Sequence, residues 1–290
     1  PGAEANHPHY VGRFAPSPTG PLHFGSLVAA LGSYLDAKSA DGQWLIRVED
    51  LDPPRSLPGA DRHILKQLAD HSLVSDQPVS YQSQRLHRFD EALSMLQAKG
   101  HLYSCTCPRR AYLGLYPGTC RTRRPPFRQP AALRFRVRET TIQQTDIAQG
   151  AVTWTYGQDF GDFIVHRKDG LHAYQLAVVV DDIAQKVTRI VRGADLLNAT
   201  PMQNCLFRAF GAQPPETLHL PMVLGRDGQK LSKQAHAPRI NAETPAGNLN
   251  QALAFLNQPI IASENPKTIL DAAIKNWRTD RIPKLIGKTL

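Results

Sequence analysis

Two short segments, far apart in the chain, have the residue types needed to hold and neutralise phosphate. His23-Phe24-Gly25-Ser26 lies where an N-terminal loop enters a helical pattern. A helix start offers unpaired N–H groups and a partial positive charge to an anion. Gly25 lets a nucleotide approach the backbone closely, while Ser26 is by type a helix cap, which would leave His23 an ordinary loop histidine. Downstream, Lys230-Leu231-Ser232-Lys233-Gln234 follows the turn Gly225-Arg226-Asp227-Gly228. Two lysines flanking a serine can neutralise charge that moves onto a leaving pyrophosphate, although a solvated basic loop has the same composition.

A third cluster points to a metal. Cys105, Cys107 and Cys120 fall within sixteen residues, with Tyr116 four positions before the last. Three thiolates this close suit zinc, with Tyr116 or His101 as fourth ligand; reduced cysteines with no metal are the other reading. Cys205 shares a helical face with Met202 and Leu206 and reads as core. From Cys105 to Arg138 there are nine arginines and no Asp or Glu, a positive field suited to bidentate phosphate contacts.

These groups need a frame. Tyr10 to Phe14 reads as a strand, and Phe24, Leu27, Val28, Leu31 and Leu35 mark one buried face of a helix beginning near His23. Trp44 to Val48 is a second short strand, followed by helical patterns around Ile64 and Leu68 and around Phe89, Leu93 and Leu96. The alternation predicts an α/β, doubly wound parallel (Rossmann-like) sheet. Residues 99–160, with strand-like pieces at Leu133 to Val137 and Val152 to Tyr156, read as an insertion and candidate zinc subdomain between two parts of the nucleotide-binding domain, 1–98 and 161–237. Apolar runs at Phe163 to Val165, Leu176 to Val180 and Arg189 to Val191 mark the sheet resuming, and 238–290 reads as a short C-terminal helical region.

The 290 residues are 41% hydrophobic and 20% charged, which disfavours a membrane span, a disordered tail and a coiled coil. A net charge of +9 suits a polyanionic partner. Four cysteines are too few for a disulfide scaffold, so a reduced, cytoplasmic setting is expected.

The pair of phosphate loops, one after the first strand and one after the last, resembles the two signatures of class I aminoacyl-tRNA synthetases. Gly12-Arg13-Phe14-Ala15-Pro16-Ser17-Pro18-Thr19-Gly20, Arg47-Val48-Glu49-Asp50-Leu51-Asp52, Val178-Val179-Val180-Asp181-Asp182 and Val191-Arg192-Gly193-Ala194-Asp195 resemble its glutamyl branch, over about residues 10 to 237. The resemblance implies a ligase that uses ATP, with Mg²⁺, to convert L-glutamate to glutamyl-adenylate. It places Arg13, Ala15, Ser17, Glu49, Tyr174 and Arg192 in the glutamate pocket, with Tyr174 and Arg192 at the side-chain carboxylate. His23, Gly25, Ser26, Lys230, Ser232 and Lys233 would meet ATP, with His23, Lys233 and, less strongly, Lys230 stabilising the transition state. Chemistry agrees, since glutamate's two carboxylates and one ammonium call for fixed cations and an anion. Two departures stand out: Ser26 replaces the second histidine of His-x-Gly-His, and Gln234 replaces the last serine of Lys-Met-Ser-Lys-Ser.

Within that branch the Cys-x-Cys and Tyr-x-x-x-Cys spacing, and the short sequence after the second loop, resemble a shortened group. The likeness implies one structural zinc on Cys105, Cys107, Tyr116 and Cys120, and transfer of glutamate to the queuosine base in the anticodon loop of tRNA(Asp). Aminoacylation of tRNA(Glu), by an enzyme or its catalytic fragment, is the alternative. A non-catalytic tRNA-binding module is disfavoured, because His23 and Lys233 are both present.

Overall fold

A computed structural model describes residues 10–112, 114–126, 130–225, 240 and 243–289. The first half alternates strand and helix: β1 (Val11–Phe14), α1 (Phe24–Ser39), β2 (Gln43–Val48), α2 (Ala60–Asp70) and β3 (Ser80–Tyr81) build a parallel β1-β2-β3 sheet. After α3 (Leu86–Ala98) come β4 (Leu102–Cys105), α4 (Thr119–Arg123), β5 (Ala132–Phe135), β6 (Thr141–Asp146), β7 (Gly150–Thr155) and β8 (Phe163–His166). The chain then returns to parallel geometry through α5 (Tyr174–Ala184), β9 (Arg189–Gly193), α6 (Thr200–Ala209) and β10 (Glu216–Leu220). It finishes with β11 (Met222–Leu224), α7 (Pro245–Phe255), α8 (Pro266–Asn276) and β12 (Gly287–Thr289), the last pairing with β11.

The two parallel blocks meet at β1 and β9. The Thr188 N–H donates to the Val11 carbonyl at 2.9 Å, and the Val11 N–H donates to Thr188 Oγ1 at 3.0 Å. The order across the molecule is therefore β3-β2-β1-β9-β10-β6-β7, with α1, α7 and α8 on one face and α3, α5 and α6 on the other. The predicted apolar face of α1 is buried as spaced, its leucines packing on Trp44, Ile46, Leu218 and Leu220. Gly32 permits the close approach: a Cβ there would stand 2.6 Å from Leu220 Cδ1. Among the described residues no helix is long and apolar enough to cross a membrane.

Two apolar runs differ from their sequence reading. Leu176 to Val180 is not strand but the middle of α5, buried on the side chains of α3 and α6. A short apolar run has no period of its own, so tertiary packing decides its conformation. Phe163 to Val165 is a strand, but β8 pairs antiparallel with β5 in a small β4-β5-β8 sheet instead of extending the parallel one. The stretch Leu218 to Leu224 divides at Pro221 into β10 and β11, since proline cannot donate to a ladder.

Candidate active site

A cavity of about 1040 Å³ opens at the C-terminal ends of β1, β2, β9 and β10. This is where the strand order reverses, the usual crevice for a ligand in an open α/β sheet. Its wall brings together Arg13, Ala15, Ser17, His23, Gly25, Ser26, Glu49, Tyr174 and Arg192, which lie up to 179 positions apart in the sequence. The expected Lys230, Ser232 and Lys233 lie outside the described residues.

The loop after β1 is pinned at both sides. The Glu49 N–H donates to the Pro16 carbonyl at 2.9 Å and the Leu57 N–H to the Pro18 carbonyl at 2.9 Å. His23, not Ser26, caps α1: its Nδ1 accepts from the Ser26 N–H at 3.2 Å. A neutral ring that accepts at Nδ1 must carry its proton on Nε2, so the cap also sets which nitrogen can donate. Gly25 also serves the cap. A Cβ there would come within 3.1 Å of the His23 ring, so glycine leaves the imidazole room to cap.

Beneath the cavity the sheet face under α5 is charged. Arg13 on β1 donates through Nε to Asp182 Oδ1 at 3.0 Å and through Nη2 to Oδ2 at 3.3 Å. Arg47 on β2 donates from Nη1 to the same Asp182 at 2.8 Å and from Nη2 to Glu49 at 3.3 Å, and its Nε lies 3.7 Å from Asp181. All five side chains are at least nine-tenths buried. Asp182, between two guanidiniums, is held below the usual carboxylate range despite its burial. Glu49 is pushed up by burial, with Arg47 and Arg13 opposing. The aspartate pair of α5, Asp181 and Asp182, and Arg47 thus form the support of Arg13 and Glu49; the sequence reading noted their motifs without giving them this task.

Arg192 on β9 is different. It is buried, and its partners are neutral: Nε donates to His219 Nε2 at 3.0 Å, Nη1 to Gln203 Oε1 at 2.8 Å and Nη2 to Thr200 Oγ1 at 3.0 Å. Burial holds its pKa below the ordinary guanidinium value. A buried cation bonded to neutral acceptors in a cavity wall is preorganised for an anionic ligand. Tyr174 stands at the start of α5, 38% exposed, in the same cavity. Gln203, Thr200 and His219 were missed from sequence; a histidine between the buried leucines 218 and 220 was the available signal.

The cysteine cluster forms as a separate centre. The sulfurs of Cys105, Cys107 and Cys120 lie within 4.8 Å of one another, with Cys107 and Cys120 at 3.4 Å. The Tyr116 hydroxyl is 3.5 Å from Cys105 Sγ and 3.7 Å from Cys107 Sγ, and it accepts from the Cys120 N–H at 2.7 Å. Ligands about 2.3 Å from a tetrahedral zinc stand roughly 3.8 Å apart, so this donor set fits a metal ion of that kind. Burial opposes ionisation of Cys120, yet hydrogen bonds from Tyr116 and its neighbours bring the thiol down to about 6. The Arg134 guanidinium lies 3.6 Å from the centroid of the Tyr116 ring. His101 is not part of the group; it stacks on Phe135 at 5.3 Å.

That use of Arg134 qualifies the expected arginine field. Arg134 is buried on the cluster and Arg121 pairs with Asp162 at 2.8 Å, whereas Arg110, Arg123, Arg124 and Arg138 are exposed.

Comparison with known proteins narrows the reading. The model of the class I tRNA synthetase (E and Q) catalytic domain matches residues 10–111 and 122–256. The glutamyl-Q tRNA(Asp) synthetase of Cronobacter sakazakii is 49% identical over 281 residues, covering 94% of this chain and 94% of that protein. The one from Pseudomonas aeruginosa is 44% identical over 281 residues, 95% of this chain and 96% of that protein. Among solved structures, the glutamate-tRNA synthetase of Elizabethkingia anophelis superposes with a TM-score of 0.84 at 24% identity, over 97% of this chain and 68% of that one. The glutamate tRNA ligase of Elizabethkingia meningosepticum gives 0.82 at 24% identity, over 97% and 66%. At that identity the structures speak for the fold; the family match spans most of the chain, and the protein belongs to the class I tRNA synthetases of the E and Q type.

Proposed function

We propose that this protein activates L-glutamate with ATP and transfers it to the queuosine base in the anticodon loop of tRNA(Asp). The observation that carries the amino-acid half is Arg192, a buried guanidinium held by three neutral acceptors at a cavity wall. In this reading Arg192 and Tyr174 receive the side-chain carboxylate of glutamate. Arg13, Glu49, Ala15 and Ser17 surround its amino and α-carboxylate groups. The α-carboxylate attacks the α-phosphorus of ATP, which enters with Mg²⁺, and pyrophosphate leaves. His23, through Nε2–H, and Lys233, with Lys230 and Ser232, stabilise the charge arriving on the β,γ-phosphates, while Gly25 and Ser26 frame the triphosphate. A queuosine hydroxyl then attacks the activated carbonyl, releasing AMP. The acceptor rests on the names of relatives that align over nearly the whole chain. The exposed arginines of the β4–β5 region offer phosphate contacts for the RNA, and Cys105, Cys107, Tyr116 and Cys120 would hold one structural zinc.

Two measurements test this. Radiolabelled glutamate is offered with tRNA from cells able or unable to make queuosine, and the label is located by nuclease mapping. Label confined to the anticodon loop of the queuosine-containing pool is expected; equal labelling of both pools, or label at the 3′-terminal adenosine, replaces the acceptor with tRNA(Glu). For the first step, His23→Ala is expected to lower kcat for glutamate-dependent pyrophosphate exchange about 100-fold and to cost about 1 kcal/mol of stability through the lost cap. His23→Asn, a good cap without an imidazole, should recover the stability but not the rate. Recovery of both would assign His23 to the helix alone.

A further inference from the structure

We propose that Asp146 and His219 are positioning residues that aim Arg192 at the substrate's carboxylate, acting as a buried relay from β6 through β10 to β9. The proposal rests on the reading of Arg192 as the carboxylate anchor and adds how the anchor is held.

The geometry constrains every proton along the relay. Arg192 Nε–H donates to His219 Nε2 at 3.0 Å, so that nitrogen must present a lone pair. The imidazole proton must then sit on Nδ1, which lies 2.6 Å from Asp146 Oδ2. Asp146 is itself locked. Its Oδ1 accepts from the N–H groups of Ala148 at 3.1 Å and Gln149 at 3.0 Å, and the His219 N–H lies 3.2 Å from both oxygens. The side chains of His219 and Asp146 are 0% and 1% exposed, so water does not compete for these bonds. Gln203 and Thr200 take one N–H each from Nη1 and Nη2. With His219 on Nε, three of the five guanidinium protons are used among the described residues. One remains on each terminal nitrogen, the pair that a carboxylate can bridge.

A protonated His219 would turn an N–H toward the Arg192 N–H and set two cations face to face. The fork would have to rotate away, and glutamate affinity would fall. The charged groups facing the imidazole are Asp146 from β6, Arg192 from β9 and Asp195 just beyond β9. Burial, helped by Arg192, holds the imidazole below its ordinary value of 6.5 against the pull of Asp146 and Asp195. The relay is thus intact at neutral pH and is lost as pH falls through that lowered value.

The test is the KM for L-glutamate and for ATP in pyrophosphate exchange, across pH, for the parent, Asp146→Asn, His219→Gln and Arg192→Ala. An asparagine at 146 can donate to Nδ1 and so favours the wrong tautomer. Asp146→Asn is expected to raise the glutamate KM about tenfold with the ATP KM and kcat within about twofold. Glutamine at 219 keeps a neutral acceptor that does not titrate. His219→Gln should therefore keep glutamate binding near the parent value at pH 7.5 and remove the loss of affinity expected of the parent as pH falls through the lowered value of its imidazole. An unchanged glutamate KM in Asp146→Asn, or parent and His219→Gln profiles that run parallel, overturns the relay. If Asp146→Asn does not fold, the His219→Gln profile decides alone. Failure of the underlying reading looks different: Arg192→Ala would then leave the glutamate KM unchanged.

Discussion

Arg192→Ala is expected to lower kcat/KM for glutamate about 1000-fold in pyrophosphate exchange, with the KM for ATP within about threefold of the parent. Losing one partner of a buried charge-assisted pair costs roughly 2–5 kcal/mol, most of it from the charge left unpaired, and about 4 kcal/mol is a factor of about 1000. The cavity has three other arginines, but Arg13 is bidentate on Asp182 and already neutralised there, and Arg55 and Arg167 pair with Asp52. Arg192 has no such carboxylate among its three hydrogen-bond partners, so no neighbour can take over. The alanine leaves the neutral side chains of His219, Gln203 and Thr200 around the gap, and the fold should persist. A loss under tenfold, in protein with normal thermal unfolding, would remove Arg192 from amino-acid recognition. Arg192→Lys is a stricter variant: a lysine keeps the charge but cannot meet three fixed acceptors and a carboxylate in one plane, so it too should fall by at least about 100-fold.

Loss of the metal should have the largest effect on stability. Protein prepared without chelator is expected to contain one zinc per chain, and Cys120→Ser or exhaustive chelation should lower the unfolding midpoint by about 10 °C. The segment around the cluster is short of regular structure, although Arg121 and Tyr103 tie it to Asp162. α4 is five residues long, and the link from β4 to β5 relies on Tyr103, Cys105, Tyr116 and Cys120 packing on one another. A closed four-ligand site ties those pieces together without taking part in chemistry. The cavity at the strand ends is lined by other residues, so residual exchange activity should survive at temperatures below the new midpoint. Metal analysis without zinc, or an unfolding midpoint indifferent to chelator, would reject the site.

Local order was legible in the amino-acid sequence wherever one segment's own pattern decides its conformation. The spacing of Phe24, Leu27, Val28, Leu31 and Leu35 requires a helix, because only a 3.6-residue period puts those side chains on one face, and all five are buried in α1. The close spacing of Cys105, Cys107 and Cys120 marks a compact thiol cluster for a similar reason: short connections keep the sulfurs within reach. Where a pattern was ambiguous, contacts from elsewhere chose. Leu176 to Val180 has strand-like β-branched composition but becomes helix, since α5 must cover Phe89, Leu206 and Phe207 with one side and offer Asp181 and Asp182 to Arg47 and Arg13 with the other. Residue type pointed to Ser26 as the cap of α1, and the ring geometry over Gly25 gave the place to His23 instead. The supports of the site were invisible in one dimension. Arg13 meets Asp182 across 169 residues, and His219 meets Asp146 across 73. Neither pair has a spacing that chemistry prefers, so only the parallel sheet, by placing β1 beside β9 and β10 beside both β9 and β6, brings their charges within bonding distance.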